Sequence, residues 1–265
     1  MDQGRDRSRP PVTTSEPRLS IIIPVYNEAD SIAETLRGLV DHVTIRPFEI
    51  VVVYDFDEDT TVLTVRRLQS EIPEVRLHCN HFGPGALNAI KSGFAIARAP
   101  YVLVTMADLA DDPSSIDAMY RLALAGSDVV AGSRYMRGGR QSGGPVLKRT
   151  LSRLAGLSLH YVAGVATHDP TNNFKIYSRR LLDHTHIKST AGFELALELT
   201  VKAHLMGMCV DEVATTWRDR TAGESRFRMW AWIPHYLYWY WLGMYGRLSH
   251  RPRRRLQRQS GAYRR

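Results

Sequence analysis

Leu19-Ser20-Ile21-Ile22-Ile23-Pro24-Val25-Tyr26-Asn27-Glu28 is the stretch from which the fold is read: a nearly continuous apolar run that stops abruptly at a polar, acidic end. The same event recurs twice. Ile50 to Val53 runs into Tyr54, Asp55, Asp57, Glu58 and Asp59, and Val102 to Thr105 runs into Met106, Ala107, Asp108, Asp111 and Asp112. Apolar runs without alternation mark strands covered on both faces, as in a parallel sheet flanked by helices. In such sheets ligands bind outside the carboxyl ends of the strands. Three polar clusters at three carboxyl ends therefore predict one shared, carboxylate-rich site. Ionised carboxylates only accept hydrogen bonds, so this site suits a divalent cation carrying phosphates, or the hydroxyls of a sugar.

Outward from these runs, apolar spacing predicts helices over Ser31–Val40, Thr61–Glu71, Ala86–Ala97 and Ser114–Ala125, with a further strand over Asp128–Ala131. The alternation argues for a right-handed βαβ sheet. Gly83-Pro84-Gly85 precedes the third helix and would let the backbone approach a ligand phosphate at the helix start, with Gly85 a candidate contact; an ordinary glycine turn is the competing reading. Asp59 is placed to cap the helix beginning near Thr61. Beyond residue 133, a helix is expected near Lys148–Ala163, a strand at Phe174–Tyr177 and a helix over Phe193–Met206.

The net charge of +8 resembles a nucleic-acid footprint, but residues 247–265 hold eight arginines and no acid, and basic and acidic residues balance at 27 each in the rest of the chain. The body is neutral, so no nucleic-acid partner is expected. Cys79 and Cys209 lie far apart without metal-ligand spacing, which points to a reducing compartment. Residues 1–17 are polar and rich in arginine and proline, and read as a disordered tail with no signal peptide.

Seven short motifs, in order, then carry a resemblance: Ile22-Ile23-Pro24-Val25-Tyr26-Asn27-Glu28; Glu49 to Val53 with the Asp cluster behind it; Ala107-Asp108-Leu109; Gly132-Ser133-Arg134-Tyr135 with Gly138-Gly139; Asp169-Pro170; Gly192-Phe193 with Glu198; and Arg220 with Gly223-Glu224-Ser225. Together they resemble family 2 glycosyltransferases of the GT-A fold, most of all the polyprenyl-phosphate (dolichol-phosphate) mannosyltransferases. The resemblance implies an α/β, mostly parallel, Rossmann-like sheet flanked by helices, with a catalytic domain over residues 18–228.

It also implies roles. Pro24, Tyr26, Asn27, Glu28 and Asp55 would hold the nucleotide base and ribose. Asp108, with Ala107 before it, matches the second Asp of the DxD motif that binds Mg²⁺ or Mn²⁺ and through it the donor diphosphate. Arg134, Arg220 and Ser225 match positions near the phosphates of donor and acceptor. A leaving nucleoside diphosphate develops negative charge, which a cation and guanidinium groups stabilise. Two positions depart from the pattern. Tyr54 and Met106 replace the first acid of each pair; a ring at 54 would stack on a base or sugar, and a thioether is too soft to hold a hard cation. Ala110 offers no ligand either. Asp111 with Asp112, or Asp57, Glu58 and Asp59, would then complete a shifted metal site, with Asp108 and Asp111 the leading pair; arginines in place of a metal are the alternative.

Glu194 and Glu198, four apart on a helix, share a face. Glu198 matches the family position, and Glu194 would then lie nearer the acceptor. A sugar hydroxyl as acceptor needs a carboxylate base; a phosphate acceptor is already ionised and needs none. The leading acceptor is a polyprenyl phosphate, as the resemblance implies; the alternatives are a hydroxyl of a saccharide, lipid or natural product, and a nucleotide-binding protein with a degenerate site.

Residues 229–246 hold four of the five tryptophans and four of the twelve tyrosines, with Trp230, Ile233, Leu237, Trp241 and Met244 at helical spacing. Pro234, His235 and the tyrosines argue against a membrane span, while aromatic rings with polar edges favour the headgroup boundary. An amphipathic interfacial helix followed by the basic tail would gain apolar burial and attraction to anionic lipid. The expectation is a cytoplasmic enzyme, peripheral at the membrane face, acting on a lipid-linked or small-molecule acceptor; packing of this helix on the catalytic domain, or on a second subunit of a homo-oligomer, is the competing use.

Overall fold

The structure is a computed structural model that describes residues 16–190, 192–219 and 229–249. Arg220 and Ser225, the first fifteen residues and the basic stretch from 250 onward lie outside the described residues. The strands are β1 (Leu19–Pro24), β2 (Phe48–Tyr54), β3 (Val75–Cys79), β4 (Tyr101–Val104), β5 (Val129–Ser133), β6 (Arg140–Ser142), β7 (Lys175–Ser178), β8 (Val210–Ala214) and β9 (Thr216–Arg218). The helices are α1 (Ala29–His42), α2 (Thr60–Leu68), α3 (Ala86–Ile96), α4 (Ile116–Leu124), α5 (Val146–Ser158), α6 (Arg179–His184), α7 (Leu195–Leu205) and α8 (Met229–Ser249).

Seven strands form one sheet in the order β3-β2-β1-β4-β7-β5-β8, and β6 pairs with β9 in a small second sheet. Every residue of β1 and β2 is buried, which is what an apolar run without alternation demands. Ile21, Ile23, Ile50 and Val52 pack beneath α1, α2 and α4, while Ile22, Val51 and Val53 pack beneath α3 and α7. The sheet is mostly parallel, with β7 antiparallel to both β4 and β5.

The differences from the sequence reading are local. The Phe174–Tyr177 run forms a strand shifted by one residue, and its reversed direction is a matter of topology that composition does not carry. β3 and β8 have only their first residue buried, so neither reads as an apolar run. The helix expected over Lys148–Ala163 becomes α5 followed by a π-turn over Leu159–Ala163, ending at Gly164 in the left-handed region.

The two edges of the sheet treat acids differently. At the amino-terminal edge, Glu49 accepts from Ser20 Oγ at 2.6 Å and pairs with Arg76 and Arg98, and Asp128 pairs with Arg180 and accepts from Ser178 Oγ at 2.7 Å. These buried carboxylates are matched by arginines and hydroxyls, the condition under which a buried charge is tolerated. The carboxyl edge is where the acids gather without such a girdle of arginines.

α8 packs on α7 and the π-turn through Trp239, Tyr236, Tyr240 and Met244. Gly243 permits this approach: a Cβ there would sit 2.9 Å from Leu159 and 3.2 Å from Val201. Met244, expected on the lipid-facing stripe, is therefore part of the contact with the catalytic domain. Leu237, Tyr238, Trp241, Leu242 and Tyr245 remain exposed. The helix is aromatic all round, and the domain takes one side of it. Among the described residues no helix is long and apolar enough to cross a membrane.

Candidate active site

Ladder register sets the site. Pro24 pairs with Val53, Ile22 with Val104, and Tyr54 with Cys79, so β1, β2, β3 and β4 end at nearly the same level. Adjacent strands lie about 4.8 Å apart, so the ends of β2, β1 and β4 fall within roughly 10 Å. Side chains then knit them together. Asn27, in the left-handed region at φ 54°, receives its neighbours through its own amide: its N–H donates to Asp59 Oδ2 at 3.0 Å and its side-chain oxygen accepts from Thr60 N–H at 3.1 Å. Glu28 N–H donates to Thr61 Oγ1 at 2.9 Å. Asp59 also caps α2 by accepting from Thr61 N–H at 2.8 Å, and it is buried. This capping fixes the β1 and β2 ends as one unit and leaves Asp59 poorly placed to ligate a cation.

Asp55 ties in the next loop, accepting from Asn80 Nδ2 and from Gly85 N–H, both at 2.8 Å. Gly83 and Gly85 have φ of 94° and 110°, which only glycine adopts without strain. The glycine loop is thus present as expected, with the Gly85 amide turned toward Asp55. Tyr54 is 8% exposed and belongs to the core under α1 and α2, so its ring is not available for stacking; the aromatic contact at this edge is between Tyr26 and Phe56, ring centroids 5.5 Å apart.

The β4 end carries the acids. Thr35 Oγ1 on α1 donates to Ala107 O at 3.0 Å, and Ala110 N–H donates to Asp108 Oδ1 at 3.2 Å. Leu109 between them holds φ at 59°, an unusual conformation for a branched residue that costs on the order of 1 kcal/mol and is held by the surrounding loop. Asp111 accepts from Thr105 Oγ1 at 3.3 Å. Burial, and next the Asp108 charge, push the Asp111 carboxyl up to about 7.

Arg134, at the end of β5, is the facing cation. Its Nε donates to Asp169 Oδ2 at 2.7 Å and its Nη2 to Asp169 Oδ1 at 2.9 Å, a bidentate pair with Asp169 fully buried. Burial would raise the Asp169 carboxyl, but Arg134 outweighs it and holds the group below the usual range. Lys175 completes the cluster. Its ammonium donates to the carbonyl oxygens of Asp169, at 3.0 Å, and of Asn172, pinning the turn that carries Asp169. Burial lowers the lysine to about 7 against the pull of Asp169.

Asp169 appears in the sequence motifs without a role, and Lys175 was missed. The available signal was a single charge inside the apolar run Phe174-Lys175-Ile176-Tyr177. A lysine whose folded value lies below its unfolded one binds fewer protons when folded, so stability rises with pH between about 7 and 10.5. Urea unfolding between pH 7 and 9 is expected to show a slope of up to about 1.4 kcal/mol per pH unit from this one proton, which Lys175→Met removes.

Glu198, the candidate base, is held by the loop before α7 and by Lys202. Its carboxylate accepts from Lys188 N–H at 2.6 Å and Ser189 N–H at 2.7 Å, from the Ser189 hydroxyl, and pairs with Lys202. It is fully buried and organises the loop before α7. Glu194, also fully buried, accepts from Thr190 N–H at 3.0 Å and lines a cleft of about 390 Å³ against α8. Tyr236 of α8 lies within electrostatic reach of both Glu194 and Arg134. The structure thus brings Glu28, Asp55, Asp108 and Asp111 to the ends of neighbouring strands at one edge, with Arg134 within electrostatic reach of Asp111.

Donor chemistry decides whether a divalent cation suits these residues. Met106 offers only a thioether and Ala110 nothing, while Asp108 and Asp111 supply two hard carboxylates on one loop, with burial, and next the Asp108 charge, raising Asp111 to about 7. Among the described residues no group of three or more His, Cys, Asp or Glu is arranged to hold a metal. The residues fit a cation held by two carboxylates whose remaining positions are filled by phosphate oxygens, the usual Mg²⁺ arrangement with nucleotides.

Comparison with known proteins speaks to the family and the fold. The chain is 27% identical over 215 residues to the dolichol-phosphate mannosyltransferase of Pyrococcus furiosus, covering 80% of this chain and 59% of that protein. It is 30% identical over 216 residues to the polyprenol monophosphomannose synthase of Mycolicibacterium smegmatis, covering 79% and 80%. The chain therefore spans well under two thirds of the archaeal relative's length and most of the mycobacterial one's. Among solved structures, glucosyl-3-phosphoglycerate synthase from Mycobacterium tuberculosis, in complex with Mn²⁺, uridine diphosphate and glucosyl-3-phosphoglycerate, superposes with a TM-score of 0.58 at 16% identity, over 91% of this chain and 82% of that one. At that identity the likeness speaks for the fold alone, which is the GT-A arrangement. The model of "Glycosyl transferase family 2" matches residues 20–185, more than half of the chain; with acids and arginine gathered at the carboxyl edge of a GT-A sheet, the chain belongs to the family 2 glycosyltransferases and is a glycosyltransferase enzyme.

Proposed function

We propose that the enzyme transfers a sugar from a nucleotide donor to a polyprenyl phosphate at a membrane surface. The observation that carries this reading is the convergence of Asp55, Asp108, Asp111 and Arg134 at one sheet edge, and the names of the two relatives supply the acceptor class. Pro24, Tyr26, Asn27, Glu28 and Asp55 bind the base and ribose, and the Gly85 loop borders them. Asp108 and Asp111 would hold a divalent cation, which supplies positive charge to the leaving diphosphate when bound. Arg134, locked by Asp169, presents a fixed guanidinium beside Asp111 and so stabilises negative charge without reorganising. Arg220 and Ser225 would act on the phosphates from the loop outside the described residues.

An acceptor phosphate oxygen is already ionised and attacks the anomeric carbon as the bond to the diphosphate breaks, with no proton to remove. Glu198, engaged by four donors, agrees with a reaction that needs no base there. Incubation with a panel of sugar nucleotides, Mn²⁺ and a polyprenyl phosphate, followed by mass spectrometry, is expected to show an acid-labile sugar phosphodiester. An acid-stable glycoside on a hydroxyl, formed by wild type and lost in Glu194→Gln, overturns the acceptor assignment.

Membrane contact is assigned to the exposed side of α8 together with that of α5, where Leu147, Leu151 and Leu154 are exposed along one stripe. The stripe reaches α8 where Ser158 Oγ and Tyr240 Oη lie 3.0 Å apart. Neither α5 nor α8 contains an acid, and the arginines beyond residue 249 add attraction to anionic lipid of on the order of 1 kcal/mol each at the surface. Sedimentation with anionic vesicles is expected to weaken more than a hundredfold on deleting residues 250–265, and to fall with salt. Equal binding by the truncated protein contradicts the electrostatic part.

A further inference from the structure

We infer that Glu212 is a positioning residue for sugar transfer: with Thr167 and His168 it clamps the turn that carries Asp169, and through Asp169 it fixes the guanidinium of Arg134. The inference rests on the charge-stabilising role given to Arg134 above and adds what holds that group in place.

Sheet register puts Glu212 where it can do this. β5, whose end leads into Arg134, runs between β7 and β8, and its Ala131 is paired with Lys175 on one side and with Glu212 on the other. Residues paired across neighbouring strands share a face of the sheet. A cation and an anion therefore flank one small residue, shortly before Arg134 and on one face, and Glu212 lies within electrostatic reach of the Lys175 ammonium. Both side chains reach the segment between the π-turn and β7, which is neither helix nor strand, although Thr167 and Asp169 within it are fully buried.

Buried irregular backbone must have its polar groups satisfied from outside the segment. Lys175 supplies donors to the carbonyl oxygens of Asp169 and Asn172, and Glu212 supplies the acceptor. Its carboxylate takes His168 N–H at 2.8 Å, Thr167 Oγ1–H at 2.9 Å, and the His168 Nδ1–H. Thr167 Oγ1 in turn accepts from Asp169 N–H at 3.1 Å, so one hydroxyl joins Glu212 to the backbone of Asp169. The His168 ring is itself held, stacked on His160 with centroids 3.8 Å apart, while His160 Nδ1–H donates to Val165 O at 2.8 Å. At the far end Asp169 accepts the Arg134 N–H at 3.1 Å as well as the guanidinium fork. A planar fork keeps its direction only as well as its carboxylate keeps its own. Since no regular element carries Asp169, that direction is set by Glu212 from one strand and Lys175 from the other.

Transfer kinetics of Glu212→Met and Arg134→Met, singly and together, in the polyprenyl phosphate assay above test the assignment. Glu212→Met is expected to lower kcat about 10–10²-fold, the scale of a misplacement of about 1 Å, with the donor KM within about threefold of wild type. In the Arg134→Met background the same change should cost no more than about twofold, because no guanidinium is left to misplace. Glu212→Gln should recover most of the loss: its oxygen still accepts from Thr167 and the His168 N–H, and its amide donates to Nδ1 of the other His168 tautomer. If Glu212→Met does not fold, Thr167→Val, which cuts the same path with little change of shape, takes its place in the cycle. A residue that only stabilises the fold would lower the urea midpoint with kcat unchanged, or cost the same factor in both backgrounds, and either result overturns the inference. Arg134→Met with kcat within about threefold of wild type removes the role of Arg134 itself, and the positioning role falls with it. If wild type transfers no sugar to the polyprenyl phosphate, the acceptor class fails, and Glu212 is judged by the Arg134 Nε–H resonance, assigned by its loss in Arg134→Met. Exchange with water about tenfold or more faster in Glu212→Met than in wild type supports the inference, and unchanged exchange overturns it.

Discussion

Asp108→Asn is expected to lower kcat/KM about 10²–10³-fold, the loss seen when one preorganised charge-stabilising group is removed from a transition state. The substitution keeps the side chain's shape and its acceptor oxygen, so the loop bond from Ala110 N–H survives and folding should be unaffected. What is lost is one of two carboxylates on the β4 loop. Since Met106 and Ala110 contribute nothing to a hard cation, no neighbouring residue replaces it. Steady-state kinetics over a Mn²⁺ titration distinguish the causes. A variant whose activity returns at high Mn²⁺ has lost cation affinity, and one that stays low at saturation has lost charge stabilisation. Activity within threefold of wild type at all concentrations removes Asp108 from the site.

Asp169→Asn should have the largest effect on stability, about 3–5 kcal/mol, because breaking a buried pair leaves a desolvated charge without its partner. Arg134 loses a bidentate carboxylate in a site where its own side chain is 11% exposed, and the nearby Lys175 ammonium loses a compensating charge. Against a total stability of about 5–15 kcal/mol, the change is large enough to move the urea midpoint severely. The pairing account makes a sharper statement through a double-mutant cycle. Arg134→Met combined with Asp169→Asn should cost less than the two single changes summed, since the double variant buries no orphaned charge. Additivity would mean that the two groups contribute independently and that Asp169 does not position Arg134.

How much of this was legible in the sequence follows from where the residues sit. β1, β2 and β4 are covered on both faces, so their apolar runs showed the sheet and its acid-bearing carboxyl edge directly. β3 and β8 lie at the sheet edges with half-exposed side chains, and they gave no such run. Asp55, Asp108 and Asp111 could be placed at the carboxyl edge because each follows a strand, which is a local signal. Asp169 and Lys175 act through Arg134, more than thirty residues away in the chain, and no local pattern links them. Glu198 shows the converse. Its spacing from Glu194 and its motif position suggested a base, and no local pattern announced the burial and the four donors from the loop and Lys202 that hold it. Tyr54 was read by analogy to the acid it replaces, whereas a large ring beside an apolar run is more stable in the core. The aromatic 229–246 segment suggested either lipid contact or packing. Its rings run round the whole helix, so the catalytic domain takes one side and leaves the other exposed.

The central claim is that the ends of β2 and β4 grip one and the same ligand. Calorimetric titration of a nucleoside diphosphate with Mn²⁺ into wild type, Asp55→Asn and Asp108→Asn tests it most directly. Both variants should weaken binding of the same nucleotide by tenfold or more, Asp55→Asn with or without Mn²⁺ and Asp108→Asn only when Mn²⁺ is present. Unchanged affinity in either variant, with the fold intact, would show that the two acids serve separate places and would contradict the shared site.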